Sequence, residues 1–202
     1  MLDSLLRETK DWFLLPLALR LRPIHPTPIS FIGLGFGLLA TGLIFQQQYL
    51  WGLAAWLLNR LFDGLDGTVA RVTHKQSDLG GYLDILFDFV IYALIPISLV
   101  LSAPTSAGYI ALAFLLAIFY VNAASWMYLS ALLEKRKHGA KARGELTSVT
   151  MPAGLIGGAE TIIFFSLFII LPQHLVSLYW IMAVLVVITI GQRLVWASQN
   201  LD

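Results

Sequence analysis

Apolar residues fill this chain in six long windows separated by short polar breaks. The windows run over Ile29–Phe45, Leu50–Val72, Gly80–Leu101, Ser106–Leu133, Pro152–Leu171 and Leu175–Trp196. A helix rises about 1.5 Å per residue and needs roughly 20 apolar residues to cross the ~30 Å hydrocarbon layer, so each window predicts a transmembrane helix. The breaks carry turn residues, at Gln46–Gln48, at Ser102–Ser106 with Pro104, and at Pro172–His174. Connections this short predict an all-α membrane protein, with six helices in one compact bundle over residues 26–202. Ahead of it, Met1–Trp12 mixes Asp3, Arg7, Glu8, Lys10 and Asp11 with Leu2, Leu5, Leu6 and Trp12. That is not the pattern of a cleavable signal peptide. At helical spacing it predicts an amphipathic segment on the membrane surface, within residues 1–25.

Composition agrees with the pattern. With 58% hydrophobic residues and a mean hydropathy of +0.78, the 202-residue chain is far too apolar for a domain that must face water, and the lipid bilayer is its implied partner. There is no cysteine, which excludes disulfides and thiolate metal sites and leaves oxygen and imidazole as ligands. A net charge of +1 gives no case for nucleic acid.

Where the basic residues sit predicts orientation. Arg7, Lys10, Arg20 and Arg22 precede the first window, and Arg71 and Lys75 fall between the second and third. Lys135, Arg136, Lys137, Lys141 and Arg143 follow the fourth, Arg193 ends the sixth, and the other loops have none. This asymmetry puts both termini and the acidic stretch described next on the cytoplasmic side. The same residues suit anionic lipid headgroups.

The chemistry concentrates in Asp63–Asp88, DGLDGTVARVTHKQSDLGGYLDILFD. Asp63, Asp66, Gly67 and Ala70 are spaced to share one face of the second helix, and Gly80, Asp84 and Asp88 one face of the third. A turn around Thr73–Asp78 would pair the two helices antiparallel and gather four carboxylates at one end. Four such anions repel one another unless a cation sits among them. Oxygen donors without a nearby His pair suit a hard divalent ion, Mg²⁺, Mn²⁺ or Ca²⁺, better than Zn²⁺, and four carboxylates suffice for two ions. Gly67, Ala70, Gly80 and Gly81 remove side-chain bulk beside them. Arg71 adds a planar fork of donors suited to phosphate, so the whole describes a diphosphate site.

The pattern D63-x2-D66-G67-x2-A70-R71-x8-G80-x3-D84-x3-D88 resembles the signature of the CDP-alcohol phosphatidyltransferase family at every fixed position and interval. Members of that family are six-helix membrane enzymes with a surface helix ahead of the first span, usually homodimers. The resemblance implies that Asp63, Asp66, Asp84 and Asp88 bind two divalent cations, Mg²⁺ or Mn²⁺. It implies that Gly67, Ala70, Arg71 and Gly80 take the cytidine diphosphate portion of CDP-diacylglycerol or a related CDP-lipid, and that Asp88 is also the general base toward a small polar alcohol. Family members often carry Pro-Asn-x-x-Ser/Thr before the first helix. Here the stretch reads Pro26-Thr27-Pro28-Ile29-Ser30, with Thr27 in place of the asparagine.

Outside the motif, Glu160 is the lone acid of the fifth window and is expected to point inward, toward Arg71, a cationic acceptor group or a structural partner. Asn122 and Ser125 stand i, i+3 on the fourth helix and suit either the same cavity or interhelical hydrogen bonding. Lys135, Lys141 and Arg143 belong to a basic run explained mainly by topology, with attraction of a phosphorylated acceptor as the sharper reading. With Glu160 and Asn122 they form the candidate acceptor pocket. GLGFG at Gly33–Gly37 follows no strand and reads as helix packing, and His25, His74, His138 and His174 form no ligand pair.

Two competing functions are weaker. A divalent-cation transporter calls for charges midway across several helices, and a Mg²⁺-dependent intramembrane prenyltransferase carries its acidic motifs on helices far apart in sequence. Here the acids fall within one hairpin. The acceptor itself, whether glycerol phosphate, inositol phosphate or serine, is open at this point.

Overall fold

The computed structural model describes residues 14–136 and 154–201, and their regular structure is helical. Residues 14–20 form a short helix, α1. It is followed by α2 (Pro26–Phe45), α3 (Tyr49–Val72), α4 (Asp78–Ser102), α5 (Ser106–Lys135), α6 (Gly158–Ile170) and α7 (Leu175–Asn200), with a 3-10 turn at Pro172–His174. The amphipathic segment expected at Met1–Trp12 lies outside the described residues, as do Lys141 and Arg143.

Among the described residues four helices are long and apolar enough to cross a membrane: α2, α4, α5 and α7, the last together with the turn before it. The other two expected spans differ for physical reasons. α3 has 24 residues, but Arg60, Asp63, Asp66 and Arg71 lie in its second half. α6 has 13 residues, about 20 Å of helix, which falls short of the hydrocarbon thickness.

The chain separates into two compact units. The first holds α1 to α4 with Ile162–His174; the second holds α5, the start of α6 and α7.

In the first unit α2 packs on both α3 and α4. His25 starts α2, its ring Nδ1 accepting the Thr27 N–H at 3.4 Å, with Pro26 in the first turn where a missing N–H does no harm. The expected packing role of GLGFG holds. A Cβ on Gly33 would lie 3.3 Å from Phe62 Cβ of α3, and one on Gly37 only 2.5 Å from Ile91 Cδ1 of α4 and 3.1 Å from Asn59 Nδ2. Gly35, on another face, meets nothing within 4 Å. Gly37→Leu is therefore expected to lower stability by about 1–3 kcal/mol or more through overpacking, and Gly35→Leu to leave it unchanged. Thermal unfolding in detergent checks this, and equal losses at the two sites would refute the packing assignment.

The turn between α3 and α4 is set by its sequence. Thr73 Oγ1 donates to the Val69 carbonyl at 2.7 Å, and His74 takes a left-handed conformation, φ 54°, as the chain leaves the helix. Ser77 then caps α4, its hydroxyl accepting the Gly80 N–H at 3.1 Å, and Asp78 lies in the first turn where the helix dipole favours an anion. Five residues join the two helices, which both pack on α2 and meet through side chains such as Arg60 and Asp88.

In the second unit α5 packs on α7. Residues 154–157 dock on α7 through the Leu155 N–H to Gln192 Oε1 at 2.8 Å and the Ile156 N–H to Thr189 Oγ1 at 2.9 Å. Gly154 fits because a Cβ there would collide with Thr189 Cγ2. Arg193, read from sequence as a marker of orientation, is buried instead, and donates to Asn122 Oδ1 at 2.9 Å and to Ser125 Oγ at 3.4 Å.

Candidate active site

Asp63, Asp66, Asp84 and Asp88 line one open cavity in the first unit, together with Ser30, Gly33, Asn59, Arg60 and Phe87. The i, i+3 step on α3 and the i, i+4 step on α4 turn both acidic pairs to this space once the hairpin closes. Its empty volume is about 230 Å³, open mouth included. Asp66 is buried at 7% exposure, Asp63 and Asp88 are partly covered, and Asp84 is exposed at the rim.

The cation among these acids belongs to the chain itself. Arg60, 8% exposed, donates from Nη2 to Asp88 Oδ1 at 2.7 Å and approaches Asp63 Oδ2 at 3.6 Å through Nη1. Its Nε donates to Asn59 Oδ1 at 2.9 Å and its Nη1 to the Tyr92 hydroxyl at 3.1 Å. The guanidinium also lies over the rings of Trp56 and Tyr92, 4.8 and 5.3 Å from their centroids. Asn59 is fixed in turn by donating to the Gly33 carbonyl at 2.8 Å. One hydrogen-bonded line thus runs from the backbone of α2 through α3 to Asp88 on α4.

This corrects the expectation that only a bound metal offsets the repulsion of the four carboxylates. Sequence reading passed over Arg60 because it precedes the first fixed position of the motif. A signal was there: an arginine inside an apolar window is costly in lipid, and one placed i−3 from Asp63 has a partner in reach. Among the described residues no three acidic or imidazole groups are drawn together as a metal site. The donor set still suits a hard divalent ion, since the cavity lining carries four carboxylates against one guanidinium and its acidic donors are all oxygen.

The remaining motif residues do not line the cavity. Gly67, Ala70 and Arg71 continue α3, where Arg71 Nη2 donates to Thr68 Oγ1 at 3.0 Å and a Cβ on Gly67 would meet Arg71 Nη1 at 3.4 Å. Gly80 serves the cap of α4, where a Cβ would stand 3.2 Å from Ser77 Oγ. Ser30, from the Pro26–Ser30 stretch, does reach the cavity.

Glu160, Asn122 and Lys135 belong to the second unit. Glu160 lies in the first turn of α6, and its Oε2 accepts the Gly157 N–H at 3.0 Å, which closes a loose backbone donor at the helix start. Asn122 takes the interhelical alternative, holding Arg193.

Comparison with known proteins agrees with the motif. Residues 24–191 match the family model for CDP-alcohol phosphatidyltransferase. The chain is 34% identical over 175 residues to the inner membrane protein YnjF of Escherichia coli K12, covering 87% of this chain and 83% of that one. It is also 30% identical over 141 residues to the bifunctional IPC transferase and DIPP synthase of Rubrobacter xylanophilus, where the match takes in 68% of this chain but only 32% of the relative. A family match over most of the chain, and four aspartates at the motif's spacing around one cavity, lead to one assignment: the chain belongs to the CDP-alcohol phosphatidyltransferase family.

Proposed function

We propose that this protein transfers a phosphatidyl group from CDP-diacylglycerol, or a related CDP-lipid, to a small polar alcohol and releases CMP. The convergence of Asp63, Asp66, Asp84 and Asp88 on one cavity carries the reading. In it these four hold two divalent cations, Mg²⁺ or Mn²⁺, which when bound neutralise the charge that builds on the diphosphate as CMP leaves. The cavity is open to the outside, so the nucleotide and acyl chains of a donor held at its carboxylates extend beyond it. Gly67, Ala70, Arg71 and Gly80 serve the cytidine diphosphate end.

Asp88 is the base. Arg60 fixes its Oδ1, so the carboxylate faces the cavity in a set direction. The acceptor O–H gives its proton to Asp88, its oxygen bonds the lipid-linked phosphorus, and the P–O bond to CMP breaks. In this reading the chemistry lies on the cytoplasmic face, where a soluble acceptor meets a membrane-held donor, and the basic residues around the motif and after α5 support it. A homodimer is the assembly this reading carries. Glu160 and Asn122 have local partners of their own, and with Lys135, Lys141 and Arg143 they single out no one alcohol.

The test supplies purified protein with CDP-diacylglycerol, Mg²⁺ or Mn²⁺, and glycerol phosphate, inositol phosphate or serine in turn. Metal-dependent CMP release with one alcohol is expected. No release with any alcohol, where a known family member is active, would overturn the reading.

A further inference from the structure

We propose that Arg60 is a positioning residue: it anchors Asp88 and, as a cation built into the acidic cavity, restrains how tightly the carboxylates hold divalent metal. This rests on the reading of the cavity as a metal-dependent transfer site.

Packing holds the guanidinium as firmly as charge does. The rings of Trp56 and Tyr92 flank it, and Asn59 Oδ1 and the Tyr92 hydroxyl take its Nε and Nη1 donors. These partners are uncharged, so they keep the group in place whatever happens to the charges around it. Its Nη2 donates to Asp88, at 2.7 Å. Asp63 is also in reach of it, at 3.6 Å, so one fixed charge faces an acid from each motif half.

Two effects follow from such a charge. It sets the direction of the Asp88 carboxylate, which a flexible lysine does less well because it lacks the planar fork. It also opposes any dication approaching the same oxygens. Solvent at the open mouth screens this repulsion, and removing the charge is expected to change metal affinity on the order of tenfold.

The experiment titrates the purified full-length chain with Mn²⁺ alone and follows the free ion by electron paramagnetic resonance, beside CMP release at saturating Mn²⁺. Arg60→Met fills the corner against the two rings without charge, and Arg60→Gln keeps a polar head without charge. Both are expected to bind Mn²⁺ on the order of tenfold more tightly than the unaltered protein while maximal CMP release falls. Arg60→Lys is expected to keep Mn²⁺ affinity near the original. Folding is checked by gel filtration, and either neutral variant suffices if the other fails to fold.

Unchanged or weaker Mn²⁺ binding in the folded neutral variants overturns the proposal, as does no Mn²⁺ binding by any form. The failure of the transfer reading looks different. Mn²⁺ binding that tightens in the neutral variants, without CMP release from the unaltered protein, removes the proposed reaction and leaves the restraint on metal standing.

Discussion

Asp88→Asn is expected to lower CMP release by about 10²–10⁴-fold while donor binding persists, because in the proposed reaction the amide keeps the shape of the side chain and loses its ability to accept the acceptor's proton. Asparagine can still take the Arg60 hydrogen bond at its carbonyl oxygen, so the line from Gly33 through Asn59 and Arg60 stays connected. The loss therefore falls on the maximal rate more than on the apparent affinity for the CDP-lipid. Steady-state CMP release across donor concentrations, beside direct binding of the donor, separates the two. Turnover equal to that of the unaltered protein would remove Asp88 as the base.

The second large effect is expected at a residue outside the motif. Trp56 is fully buried, stacked on Phe165 at 5.4 Å and edge-on to Tyr92 at 6.3 Å, with its indole N–H donated to Ser166 Oγ at 3.3 Å. Trp56→Ala is expected to reduce stability by about 3–5 kcal/mol, since no neighbouring side chain can fill the cavity and its lining loses contacts outright. Trp56→Phe should retain most of the packing and lose only the hydrogen bond and part of the ring. Thermal unfolding in detergent measures both, and an alanine variant as stable as the phenylalanine one would refute the assignment. Because Arg60 lies over the same indole, Trp56→Ala should also loosen Asp88 and reduce CMP release at temperatures where the protein is still folded.

The two predictions differ in how their residues are found. Asp88 stands at a fixed interval from three other acids, and i, i+4 spacing is enough to put it on a face with Asp84. Trp56 is one of six tryptophans in an apolar chain, and hydropathy gives no reason to prefer it. Its importance comes from Phe165 and Ser166, more than a hundred positions later, which α6 brings against it. The same limit hid Arg60, whose partners Asp88 and Tyr92 lie on the next helix. For Glu160 the sequence left several partners open, and the structure shows the local one, the Gly157 N–H at the start of α6.

Sequence alone determined the helical class, a turn around Thr73–Asp78, the packing glycines and the four acids of the family motif. These depend on local periodicity, capping chemistry and fixed intervals along one or two adjacent helices. Tertiary structure decided which cation stands among those acids, that Asn122 serves Arg193, and that the helices form two compact units. Each of those outcomes depends on which faces meet across distant parts of the chain, and the free energy of burying a charge or a ring is fixed by the groups that surround it after folding.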